Sequence, residues 1–221
     1  MGPSNRSNLI TVSPALALAT CLFSLTPAWA TPCPFAATIY TPNAIRVAEP
    51  TTVCLDEGDV RLQGDKTRLH GSLQLADGTT RSFQVVDSSF GDAVVDSTSN
   101  AFLKGDPRHD QFSAFFHTKW LYQRLYDLGF AGSHLPNHLV IDVHAQHGNA
   151  YYKPTTKTIS LGFHTNEHDD ESYWYGADGE VVLHELGHAI IDHVQPDIMT
   201  FQGSAMHEAL ADYIAATYLG D

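Results

Sequence analysis

Cysteine is scarce: three in 221 residues, none in the Cys-x-x-Cys spacing that redox couples and zinc knuckles use. Bases are scarce too, 12 Lys and Arg against 25 Asp and Glu, for a formal charge of −13. Such a surface repels phosphate backbones and anionic lipid, which argues against a nucleic-acid or membrane-surface partner. Solubility is the plain use of the charge. No internal repeat and no low-complexity segment occurs. What is present is ordinary globular composition, 43% hydrophobic and 17% charged.

The first 30 residues differ from the rest. Arg6 is their only charged side chain, an apolar stretch runs from Leu9 to about Leu25, and Ala28-Trp29-Ala30 places small residues at both recognition positions before Thr31. That order is expected of a cleaved secretory signal. Ser13, Pro14, Thr20 and Ser24 interrupt the stretch, and no basic stop-transfer flank follows it, so a lasting membrane anchor is disfavoured. The expected location is secreted or periplasmic, with no stable membrane insertion after cleavage. Cleavage removes Cys21 and leaves Cys33 and Cys54, which an oxidising compartment is expected to join as one structural disulfide.

Residues 31–100 read as short strands and turns, with a hairpin over Ser72–Leu75, Asp77-Gly78 and Arg81–Val85. Their role is open: a pro-segment, an accessory sheet or part of the lobe that follows. Residues 101–221 read as that lobe. Aromatic and leucine residues recur at helical spacing from about Asp110 to Leu128, and His117 among them is expected to be structural. Strands are expected at Leu139–Val143, Asn149–Tyr152 and Thr156–Phe163. The acidic segment His164 to Gly179 is expected to be a solvated loop. Its Glu167, Asp169, Asp170, Glu171 and Asp178 offer oxygen ligands to calcium, without the Asp/Asn and Gly alternation of a calcium loop.

The chemistry concentrates after that. Val181 to Ile191 is an apolar helical run broken by His184, Glu185 and His188, with Asp178 as the expected N-cap. Histidines at i and i+4 stand on one helix face and can share one metal ion, while the intervening glutamate can reach a water beside it. Zinc suits nitrogen donors in tetrahedral geometry and keeps a position open in catalytic sites. A second helix is expected from an N-cap at Ser204 to Gly220, largely buried through Ala209, Leu210, Ala211, Ile214 and Ala215. On it Glu208 can complete the metal shell, and Asp212, four residues on, can accept a proton from a ligand histidine. His193 and His207 are rival ligands. A metzincin pattern would need glycine at 191 and histidine at 194, where the sequence has Ile191 and Val194.

His184-Glu185-x-x-His188 with Glu208-Ala209-x-x-Asp212 resembles the thermolysin and fungalysin gluzincins. The resemblance covers roughly residues 102–221 and is weak before residue 100. It implies an α+β, zincin-like N-terminal lobe, a twisted sheet packed on the ligand helix and its neighbours. It also implies a zinc-dependent endopeptidase acting on peptide or protein substrates, with Glu185 as general base, Glu208 as third ligand and Asp212 behind a ligand histidine. Asn149-Ala150-Tyr151-Tyr152 resembles the edge strand with which those enzymes hold substrate backbone, which implies peptide contacts at Asn149 and Ala150.

That family continues into a helical second lobe bearing a histidine that stabilises the oxyanion, and it often has a tyrosine where Asp197, Ile198, Met199 and Thr200 stand here. The chain up to Asp221 is therefore expected to be a fragment, or a lobe with another source of electrophilic help. The alternative is a non-catalytic or degenerate exported zinc-binding module. Hydrolysis of a non-peptide amide shares the same metal chemistry.

Overall fold

The strongest helix signals are realised with shifted ends. In the computed structural model, which describes residues 35–39, 50–55, 60–63, 66–75, 78–92, 102, 105–165, 172–198 and 201–217, helix α1 spans Pro107–Asp127. Asp106 caps it by accepting from the Arg108 amide at 2.9 Å, and Pro107 fills the first turn, where a missing N–H costs nothing. The aromatic stripe of α1 is core, as expected. Phe112, Phe115, Leu121 and Tyr122 are buried, and Phe83 lies 5.4 Å from Phe115 and 5.6 Å from Tyr122 between ring centroids. His117 is fully buried there, and desolvation, with His109 nearby, pushes its pKa down to about 3, which keeps it a neutral core residue.

The strands are β1 (Phe35–Ile39), β2 (Thr51–Leu55), β3 (Val60–Gln63), β4 (Lys66–Gln74), β5 (Thr80–Val86), β6 (Leu139–Asp142), β7 (Ala150–Lys153), β8 (Thr158–Leu161), β9 (Phe163–Thr165) and β10 (Ser172–Trp174). Six of them form one mixed sheet in the order β3-β4-β5-β6-β8-β7, while β1–β2 and β9–β10 are antiparallel pairs. The sheet joins strands from both sides of residue 100. Gly71 faces Phe83 across the β4–β5 register, and a Cβ on it would lie 2.0 Å from that ring. Glycine is what lets the Phe83 side chain cross β4 to reach α1.

Two helices complete the α+β fold. Helix α2 spans Gly179–Val194 and packs on β7 and β8; α3 spans Phe201–Thr217 and packs on α2. Asp178 caps α2 as expected, accepting from the Glu180 amide at 3.0 Å and the Val181 amide at 3.5 Å. Helix α3 corrects two expectations. It begins before Ser204, which is exposed within its first turn, and Ala209 and Leu210 are exposed rather than buried. The buried residues Gly203, His207, Ala211 and Ala215 are each four apart, the single row a helix presents to one neighbour.

A third correction concerns the expected loop from His164 to Gly179. Its described parts form the β9–β10 hairpin and a 3-10 turn at Tyr175–Ala177 that leads into Asp178. Residues 1–34, with the expected signal and Cys33, lie outside the described residues, as do Glu167, Asp169, Asp170 and Glu171. Among the described residues no helix is long and apolar enough to cross a membrane.

Candidate metal centre

Helix α2 carries its apolar residues, Val182, Leu183, Leu186, Ala189 and Ile190, into the core. That leaves His184, Glu185 and His188 along the strip between β7 and α3. The expected ligands converge. His184 Nε2 and His188 Nε2 lie 3.0 Å apart, and each is 3.4 Å from Glu208 Oε2. Among the described residues, this is the one group of three or more His, Cys, Asp or Glu donors gathered closely enough to hold a metal ion.

The far sides of the two rings decide what this convergence means. His184 Nδ1 donates to Asp212 Oδ1 at 2.9 Å, so Asp212 stands where the sequence placed it. His188 Nδ1 meets His207 Nδ1 at 2.6 Å, with the two rings stacked 4.7 Å apart. With a proton on each ligand's Nδ1, an assignment made from these partners, both Nε2 atoms present lone pairs to each other and to a carboxylate oxygen. Three acceptors 3.0–3.4 Å apart repel unless they share a cation. Donors held about 2.1 Å from tetrahedral zinc stand about 3.4 Å from one another. The residues fit zinc. Burial, reinforced by His184, also lowers the His188 pKa to about 4, so its ring is a neutral donor at physiological pH.

The rival ligands sort themselves out by position. His193 Nε2 donates to the Ser133 carbonyl at 2.9 Å, on another side of α2. His207 meets the far nitrogen of His188 instead of joining the three donors, a contact the sequence did not reveal because it depends on how α3 lies across α2.

That crossing is close because residue 187 is glycine. A Cβ there would come within 2.9 Å of the Ala211 Cα, which is backbone and cannot swing aside. Gly187→Val is expected to push α3 outward, to cost about 1–3 kcal/mol by overpacking and to weaken zinc binding by moving Glu208. Denaturation and competitive zinc titration of the variant would measure both. A variant with both quantities unchanged would show that the crossing does not set the ligand geometry.

Glu185 is 5% exposed, accepts a hydrogen bond from the Tyr152 amide on β7, and has no protein partner for Oε2 among the described residues. Burial pushes its pKa up to about 7, against the pull of His184 and the Tyr152 amide, so it can exchange a proton near neutrality. Among the described residues strand β7 pairs only with β8 and ends the sheet. Ala150 opens this strand and the exposed Asn149 precedes it, both lining a cavity with His184 and Glu185.

No family model and no curated protein matches the chain. One solved structure similar to it is described as the precursor of protealysin, a metalloproteinase from Serratia proteamaculans. The match has a TM-score of 0.46 and 16% identity, covering 62% of this chain and 42% of that one. This chain therefore spans less than half the length of that structure.

Proposed function

We propose that this protein is an exported zinc-dependent peptidase of the gluzincin type, with His184, His188 and Glu208 as zinc ligands and Glu185 as general base. The observation that carries the reading is the meeting of three lone-pair donors at tetrahedral spacing beside a buried carboxylate with a free oxygen. Zinc held there would supply Lewis acidity towards a substrate carbonyl and towards water. Glu185 accepts the proton of the attacking water and returns it to the departing amine. Asp212 and His207 hold the ligand rings in the tautomer that keeps Nε2 bare. The open edge of β7, with Asn149 and Ala150 at its start, offers backbone N–H and C=O groups to an extended peptide, which favours peptides over other amides.

Zinc analysis of the purified protein beside Glu208→Ala tests the ligand set. The expected result is about one zinc per chain in the wild type, largely lost from the variant on dialysis. A folded wild type without zinc, or a variant that keeps it, would overturn the assignment.

A further inference from the structure

Tyr152 joins strand β7 to helix α2 at two points. Its amide donates to the Glu185 carboxylate, and its hydroxyl donates to Asp192 Oδ2 at 3.2 Å. Residues 185 and 192 are seven apart, within about 20° of two full turns, so they share a face of α2 about 10 Å apart along its axis. His188 lies between them in the helix. Tyr152, His188 and Asp192 line one small cavity, about 210 Å³, together with Glu208.

The two contacts do different things. Glu185 is buried and its Oε2 finds no hydrogen-bond partner among the described residues, so the Tyr152 amide is what orients the carboxylate. That amide belongs to a four-residue strand paired, among the described residues, along one side only. Such a strand can shift against the helix it covers, and a shift of about 1 Å is enough to misplace a reacting group. The hydroxyl contact removes this freedom, because it fixes the far end of the same residue to the same helix. Its donor is secure. Burial first, then the charge and hydrogen bond of Asp192, hold the Tyr152 phenol above the ordinary tyrosine pKa, so it stays protonated at neutral pH. A hydroxyl bonded to a carboxylate is also stronger than one bonded to a neutral acceptor.

We propose that Tyr152 and Asp192 are positioning residues, a clasp between β7 and α2 that holds the Tyr152 amide on Glu185 and so aims the general base. Neither touches the reacting atoms; both act through Glu185. The proposal rests on the peptidase reading above and adds to it the residues that hold its base.

The test compares the zinc-loaded wild type with Tyr152→Phe, Asp192→Ala, their double variant and Asp192→Asn, on the best-cut member of a set of internally quenched peptides. Each of the first two is expected to lower kcat about tenfold, the scale of one hydrogen bond to a charged group. KM is expected to stay within about twofold, because a general base acts in the transition state and not in substrate binding. The double variant is expected to fall no further than either single one. Asp192→Asn keeps an oxygen for the hydroxyl and is expected to recover most of the loss. Wild-type kcat in both single variants, additive losses in the double variant, or Asp192→Asn no better than Asp192→Ala would overturn the clasp. Failure of the wild type to cut any peptide would overturn the peptidase reading instead. Amide hydrogen exchange then decides the clasp by itself. Exchange at residue 152 that is several-fold faster in Tyr152→Phe and Asp192→Ala supports it, and exchange unchanged from the wild type overturns it.

Discussion

Glu185→Gln is expected to lower peptide hydrolysis by about 10²–10⁴-fold, the usual worth of a positioned general base, while leaving zinc bound. The substitution changes the proton chemistry and little else. Glutamine has the same shape and keeps a carbonyl oxygen for the Tyr152 amide, but it cannot take a proton from water. The proposed ligands are other residues, so the metal content is expected to stay at the wild-type level. Burial is what suits Glu185 to proton transfer, because desolvation lifts its pKa to about 7, where it can both accept and return a proton at neutral pH. Measuring kcat/KM with zinc content on the same samples separates loss of chemistry from loss of metal. Near-wild-type turnover in a zinc-replete variant would remove Glu185 from the mechanism.

His144→Ala is expected to cost about 3–5 kcal/mol of stability at pH 6, because it strands two buried carboxylates. His144 follows β6 and is fully buried. Its Nδ1 meets Asp87 Oδ2 at 2.6 Å, and its Nε2 meets Asp110 Oδ2 at 3.0 Å. Gln111 donates to the same Asp87 oxygen, the Ser89 and Phe90 amides to its other one, and His109 pairs with Asp110. The rings of Phe90 and Trp174 meet the imidazole edge-on at 5.1 and 4.8 Å.

Burial by itself would lower the His144 pKa. The hydrogen bonds and charges of Asp110 and Asp87 outweigh it and raise the pKa, so the folded protein favours the imidazolium. A raised pKa contributes stability that is complete below the ordinary histidine value of 6.5 and is lost as pH rises through the folded value. Denaturant titrations of the zinc-free protein are therefore expected to show stability falling as pH climbs above that range. His144→Ala should lose this component. A penalty under about 1 kcal/mol at pH 6 would show that the carboxylates find other partners.

The consequence extends to the candidate metal centre. The turn Tyr175–Ala177 seats against Val143 and Asp110 and delivers the chain to Asp178, the cap of α2. The network thus sits beneath the segment that starts α2.

The chain by itself determined what depends on local spacing. His184 and His188 are one turn apart, Glu208 and Asp212 likewise, and Asp178 precedes an apolar run. Helix geometry turns each into a shared face or a cap wherever the helix lies, so these assignments needed no tertiary information. Position on the opposite wall did need it. Only the crossing of α3 over α2 at Gly187 and Ala211 brings Glu208 to the two histidines, and the same crossing sets His207 behind the His188 ring instead of among the three donors. Among the described residues the sheet order leaves β7 on the edge, and a segment that reads as loop pairs as β9–β10 and then puts Tyr175 at the cavity beside His184. Asp87, Asp110 and His144 carry no signal in the chain, being separated by 34 and 57 residues where they meet. Periodicity records which side chains share a face of one element; which faces of different elements meet depends on packing across the whole fold.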